Sequence, residues 1–204
     1  MRIVHYFAPM SGYAYLGIAA LREMGARHGV DIVHAPVDIQ AAFSAAGVTP
    51  PAIQSPAKKA YRAKDMMRWA RRRGLPLNPQ PQFWPVAGAL ASKFIIAAES
   101  VSRSGAEMSE AVLAAVWARD LDIAKEETLV RLTDECGLDI AAISQAANEA
   151  STQSLANQYT ADALALGLFG SPTYLFAGEI YFGQDRLDFL EADIIKQKSG
   201  MQIA

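Results

Sequence analysis

A chain of 204 residues with 51% hydrophobic content is long enough to bury a full core, as one domain carrying an insertion or as two packed lobes. Its formal charge of -2 gives no general electrostatic basis for binding nucleic acid, and no apolar run approaches the roughly 20 residues of a membrane span. The single cysteine, Cys136, rules out an intrachain disulfide and with it a disulfide-stapled secreted fold.

The first apolar stretch, Ile3-Val4-His5-Tyr6-Phe7, is too short for a signal peptide, and its β-branched and aromatic content predicts a strand over residues 3–8. Tyr15, Leu16, Ala19, Ala20 and Met24 then form the apolar stripe of a helix over residues 12–28, and residues 31–38 read as a second strand. Such a β-α-β opening implies parallel strands with a right-handed crossover. Pro50-Pro51 marks a loop, residues 56–73 a helix, and the proline-rich residues 74–85 an extended connection. Arg71-Arg72-Arg73, just ahead of Gly74, reads as a solvated helix end rather than a phosphate site.

From residue 86 to 168 the alanine-rich composition, with Leu, Ile and Val at three- and four-residue spacing, predicts almost nothing but helix. Breaks are expected at Gly105, at Asp120 to Asp122 and at Gly137-Leu138-Asp139, with a new helix starting within Asp122-Ile123-Ala124-Lys125-Glu126. Cys136 has acidic neighbours that oppose a thiolate, which suits a structural role. Residues 173–176 and 180–182 form a hairpin around Ala177-Gly178-Glu179, and residues 185–195 a final helix. This order, β-α-β then helices then β-β-α, predicts an α/β thioredoxin-like fold with a large all-helical insertion. Residues 1–40 and 169–204 make up the thioredoxin-like domain, and residues 41–168 the helical insertion domain.

Two distant turns carry the chemistry. Where this plan puts a Cys-x-x-Cys pair at the first turn of its first helix, the chain reads Ser11-Gly12-Tyr13-Ala14; the second turn is Phe169-Gly170-Ser171-Pro172-Thr173. Without a thiolate the chain cannot run its own thiol-disulfide exchange. What remains is a helix N-terminus with a hydroxyl, suited to hold a thiolate that belongs to another molecule, with glutathione the candidate. No His, Cys or carboxylate cluster has metal-ligand spacing, and core or surface roles suffice for His5, His28 and His34.

From about Ile3 to Glu191 the chain resembles the 2-hydroxychromene-2-carboxylate isomerases, relatives of kappa-class glutathione transferases and of disulfide oxidoreductases with a helical insertion. The resemblance rests on five motifs in order: Ser11-Gly12-Tyr13-Ala14-Tyr15-Leu16; Lys58-Lys59-Ala60-Tyr61 with Asp65 and Arg68-Trp69-Ala70; Gly74-Leu75-Pro76-Leu77; Phe169-Gly170-Ser171-Pro172-Thr173; and Phe182-Gly183-Gln184-Asp185-Arg186-Leu187. It implies that Ser11 contacts the glutathione sulfur and that Pro172 is cis, with the Ser171 backbone pairing to the cysteinyl part. It further implies that Lys58 meets the glycyl carboxylate and that Gln184 and Asp185 grip the γ-glutamyl end. Arg186 reads as an ion-pair partner rather than a ligand. Two departures stand out: Val48 replaces an asparagine common in relatives, and Gly12 replaces a proline and permits a looser first turn.

The reaction implied opens a cyclic hemiketal to an ortho-hydroxybenzylidenepyruvate and converts its alkene from cis to trans by reversible thiolate addition. Tyr13, Tyr61 and Trp84 are candidates for the wall around a small aromatic substrate, with Trp69 and Phe83 as further aromatics. The resemblance also implies a homodimer, while the single cysteine, the short N-terminal apolar stretch and the lack of a membrane-length apolar run point to the cytoplasm, where glutathione is abundant and reduced. A kappa-type glutathione transferase, or a glutathione- or partner-binding module without turnover, remain alternatives on the same motifs.

Overall fold

The computed structural model describes residues 1–200; residues 201–204, the end of the expected C-terminal segment, lie outside them. Strand β1 (Arg2–Phe7) leads into helix α1 (Gly12–His28) and then β2 (Asp31–Pro36), which pairs parallel to β1 from Arg2↔Asp31 to Phe7↔Pro36. The second strand stops two residues short of the expected end. Asp38 turns out of the sheet to cap a short helix, α2 (Ile39–Ala45), its carboxylate accepting from the Gln40 and Ala41 amides. A single 3-10 turn (Pro51–Ile53) then precedes α3 (Pro56–Arg73).

The expected helical block resolves into α4 (Ala89–Ser102), α5 (Gly105–Trp117), α6 (Glu126–Glu135), α7 (Ile140–Ala147) and α8 (Ala150–Ala165). The chain closes with β3 (Thr173–Phe176), β4 (Glu179–Phe182), a 3-10 turn (Gln184–Arg186) and α9 (Leu187–Lys198). Sheet order is β2-β1-β3-β4, with β3 antiparallel to both β1 and β4. The thioredoxin-like arrangement read from the element order is therefore the one adopted.

Alternation along β1 sends Ile3, His5 and Phe7 to one face of the sheet and Val4 and Tyr6 to the other. Ile3 packs with Leu21 and Met24 of α1 and Leu190 and Ile194 of α9, while Tyr6 meets Ala163 of α8 and Leu168. Phe7 joins a larger core in which Tyr15, Leu16 and Ile18 of α1 interlock with Phe94 and Ile95 of α4, with Val112 and Trp117 of α5, and with Leu132 and Ile143 farther along. One apolar core therefore runs continuously from the first helix into the inserted helices. Trp117 is 1% exposed, and truncation of such a side chain removes about 3–5 kcal/mol.

The Arg71-Arg72-Arg73 run ends α3 as expected, with Gly74 in the left-handed region (φ 65°), but its three members diverge. Arg71 and Arg72 are exposed. Arg73 instead turns inward and donates to the Gln184 side-chain oxygen at 2.6 Å and to the Gln184 carbonyl at 3.3 Å, so the solvated reading fails for it. We expect a double-mutant cycle with Arg73→Met and Gln184→Met, read by urea unfolding, to give a coupling energy of about 1.5–3 kcal/mol, as for a hydrogen bond to a charged group.

His5 and His34 meet across the β1–β2 pair, Nδ1 to Nδ1 at 3.1 Å, and His5 is stacked between Phe7 (4.6 Å between ring centres) and Tyr174 (5.2 Å). Burial holds His5 well below its ordinary range, with repulsion from His34 adding to it, and burial brings His34 down to about 4. Both are neutral in the fold at pH 7, whereas the unfolded chain takes up protons below about 6.5. Stability is therefore lost as pH falls from about 6.5 toward the folded values, at about 1.4 kcal/mol per pH unit for each histidine. Unfolding free energies measured at pH 6.5 and pH 5 are expected to fall by about 1.6 kcal/mol per histidine more in the wild type than in His5→Leu/His34→Leu, a difference in which carboxylate contributions cancel.

Candidate active site

The N-terminus of α1 and the loop before β3 meet at the end of the sheet. Ser11 is the N-cap of α1: its hydroxyl oxygen accepts from the Ala14 amide at 3.2 Å, and its proton is donated to the Ser171 carbonyl at 3.1 Å. The Ser171 hydroxyl in turn accepts from the Ala8 amide at 2.9 Å. The Ser171-Pro172 peptide is cis, as expected, and so is Trp84-Pro85 in the extended connection, which no sequence signal marked. The first turn of α1 contains no acidic residue, and the Gly12 and Tyr13 amides have no acceptor among the described residues. The positive end of the helix is thus uncompensated by any side chain of its own first turn.

Gly12 has a tighter role than the looser turn its sequence suggests. A Cβ there would lie 2.2 Å from the Met66 methyl and 2.9 Å from the Trp117 ring, so α1 is pressed directly onto that indole. Trp117 also donates its Nε1 proton to the Met10 carbonyl at 3.1 Å, fixing the turn that leads into Ser11.

A cleft of about 600 Å3 opens over this turn, and Ser11, Tyr13, Lys58, Tyr61, Trp84 and Ser171 all line it. Six of the sequence-derived residues, drawn from four separate stretches of chain, thus share one wall. Pro172 is buried beneath Ser171 and does not reach the cleft. Neither do two residues expected at its rim. Gln184 is buried with its side-chain oxygen taken by Arg73, and the Asp185 carboxylate points away into a pair with Arg186 at 2.9 Å. That pairing is the one expected for Arg186. Trp69 also lies elsewhere, beneath the Arg72 and Arg73 guanidinium groups at 5.4 Å each, and Phe83 is likewise absent from the cleft wall.

The cleft is apolar over most of its wall, with Met10, Ile39, Phe43, Val48 and Val86 facing Phe169 and Phe182. The two phenylalanines meet edge to face at 4.8 Å, and a Cβ on Gly170 would lie 2.2 Å from the Phe182 ring, so only glycine fits between that ring and Ser171. No carboxylate lines the cleft; its charged members are Lys58 and Arg62. Tyr13 donates its hydroxyl proton to Asp65 at 2.9 Å, and burial, then that bond, raise its pKa well above the ordinary phenol range, so it stays protonated. Arg62, which the sequence reading passed over, packs its guanidinium against Trp84 (4.7 Å to the ring centre), Trp117 (5.4 Å) and Tyr13 (5.6 Å). Its only signal in the sequence is position, four residues after Lys58 on one helical face.

Among the described residues no group of three or more His, Cys, Asp or Glu side chains is placed to hold a metal ion, and no helix is long and apolar enough to cross a membrane. Cys136 is half-buried, and burial together with Glu107 and Glu135 raises its thiol pKa, in keeping with the structural role read from its neighbours.

The DSBA-like thioredoxin domain family matches residues 2–195. A 2-hydroxychromene-2-carboxylate isomerase of Sphingobium xenophagum is 28% identical over 200 residues, covering 93% of this chain and 96% of that protein. Another, from Pseudomonas putida, is 24% identical over 198 residues, covering 94% and 93%. Among solved structures, a 2-hydroxychromene-2-carboxylate isomerase (HCCA isomerase) superposes with a TM-score of 0.84 at 23% identity, both chains covered in full (100%). The cytosolic disulfide reductase DsbM from Pseudomonas aeruginosa, determined with GSH, gives 0.71 at 18% identity, covering 98% and 100%. With its sheet, its helical insertion and nearly its whole length matched, the chain belongs to the DSBA-like thioredoxin domain family, and the isomerase resemblance carried by its motifs is borne out.

Proposed function

We propose that this protein is a glutathione-dependent isomerase that converts a 2-hydroxychromene-2-carboxylate to the trans-ortho-hydroxybenzylidenepyruvate, acting in aromatic catabolism in the cytoplasm. The observation that carries the reading is the pairing of the Ser11 hydroxyl and the free Gly12 and Tyr13 amides with an acid-free, aromatic-walled cleft. Relatives named as this isomerase, aligned over more than nine-tenths of the chain, support it.

The residues present fit a tripeptide thiol. Ser11 and the first amides of α1 would receive the sulfur, the Ser171 backbone the cysteinyl unit, and Lys58 the glycyl carboxylate, with no wall carboxylate to repel an anionic ligand. Asp185, three residues past the cleft's Phe182, is the group for the ammonium end, on exchanging its Arg186 partner; Gln184 supports the turn through Arg73. When bound, glutathione supplies a thiolate that adds to the enone, frees the former double bond to rotate, and leaves again unchanged. To serve that thiolate Ser11 must redirect its proton from the Ser171 carbonyl, a rotation about the Cβ–Oγ bond that leaves the oxygen in its capping position. Tyr13, held protonated by Asp65, presents its ring rather than a base, and the Phe169–Phe182 pair and Trp84 cover the aromatic part of the substrate and exclude water. The same sulfur site would serve a glutathione transferase, the difference lying in whether the adduct is released.

Ultraviolet difference titration of glutathione on wild-type protein is expected to place the thiol pKa about one unit or more below its free value of about 8.5, a shift lost in Ser11→Ala. The same substitution should lower kcat/KM for 2-hydroxychromene-2-carboxylate by roughly 10- to 100-fold. A depressed thiol pKa without isomerisation assigns the cleft to glutathione transfer onto another electrophile. Saturable glutathione binding with an unshifted thiol makes the protein a binding module, and no binding at all overturns the reading.

A further inference from the structure

The cleft contains a cation whose presence the sulfur site does not explain. Helix α3 contributes Ala57, Lys58, Tyr61 and Arg62 to the wall, so Lys58 and Arg62 sit one turn apart on the same face. Lys58 is exposed at the mouth, whereas Arg62 is drawn inward among three aromatic rings. Among the described residues Arg62 belongs to no ion pair. The acid nearest in sequence on its helix, Asp65, spends an oxygen on the Tyr13 hydroxyl. Its nitrogens are not among the sealed polar atoms without partners, and the side chain lines the cleft.

A half-buried guanidinium without a counter-ion is unfavourable, and burial pushes its pKa down while the neighbouring Tyr13 pulls it up. Aromatic faces offset part of that cost, but they satisfy no N–H donor. A planar five-donor fork flanked by rings, with no protein acceptor at its donors among the described residues, suits a planar anion, for which guanidinium and carboxylate geometries match in a bidentate pair. Of the three rings around it, Tyr13 and Trp84 line the cleft and are surfaces on which a flat aromatic ligand would stack, while Trp117 backs them from the core.

We propose that Arg62 is the anion anchor and a specificity-determining residue of the cleft, taking the carboxylate of the second ligand and restricting that ligand to aromatic compounds that carry one. The inference rests on the reading of this cleft as the ligand site under Proposed function, with glutathione assigned to Lys58 and Ser11 and the acid of the other ligand to Arg62. It implies that the neutral ester of an otherwise accepted enone is rejected.

The probes are trans-benzylidenepyruvate and its methyl ester, which differ in charge and little else, titrated without glutathione and followed by quenching of the fluorescence of Trp84 and Trp117 beside Arg62. Wild type is expected to prefer the acid by roughly 10- to 100-fold, as for a charge-assisted bidentate contact. In Arg62→Gln the preference should fall to near unity, while Lys59→Gln, an exposed neighbour outside the cleft wall, keeps it. If Arg62→Gln does not fold, Arg62→Lys decides, since it retains the charge but not the fork: a severalfold loss of preference supports the anchor, and an unchanged preference overturns it. A wild type that binds both probes equally, or neither, overturns it too, as does a preference that survives in folded Arg62→Gln. Because the readout is binding without glutathione, the thiol titration and this experiment fail separately.

Discussion

Everything at the site depends on two serines that bind each other across 160 residues of chain. The antiparallel register of β1 and β3, Val4↔Leu175 and Tyr6↔Thr173, places Ala8 opposite Ser171 when continued two residues further. At that point the ladder changes partner: the Ala8 amide bonds to the Ser171 hydroxyl instead of its carbonyl, and the carbonyl is left for Ser11. A side chain has replaced one rung of a sheet, and the freed backbone oxygen accepts from the N-cap of α1. A slip of one residue in this register would turn alternate side chains to the wrong face and part the two turns.

How much of this was legible followed from the range of each interaction. The element order could be read because strand and helix periods are local, and Ser11, Lys58 and Ser171 because they sit in contiguous motifs. Helix α2 escaped because its seven residues are too few to display a period, although Asp38 was a cap in plain view. The break between α7 and α8 contains neither glycine nor proline at residues 148–149, so nothing local announced it. Arg62 and Arg73 look like their exposed neighbours on a highly basic helix; only the arrival of Trp84, Trp117 and Gln184 from other segments separates them. Gly12 shows the same limit in reverse, since its meaning lies in the indole pressed against it rather than in its own freedom.

The distribution of charge in the cleft is opposite to that of the whole chain, which carries a formal -2 while the cleft holds two cations and no acid. Set in a low-dielectric apolar wall, that local field favours anions and concentrates them near the α1 N-terminus. Placement also divides the work: an ammonium at the mouth is a mobile point charge, while a guanidinium clasped by rings has a fixed orientation.

The long reach of the β1–β3 pairing has a consequence for how the molecule comes into being. Helices α4 to α7 are close in sequence and pack on one another, whereas β1 keeps one edge bare until residues 173–176 have been synthesised. On the ribosome the chain therefore holds an open strand edge for most of its translation. Nascent chains that end before Ser171 present a sticky edge and a cleft that lacks its Ser171 and Phe182 wall. Whatever shelters that edge during synthesis, the inserted helices or a chaperone, protects a protein whose cleft is completed by its last strands.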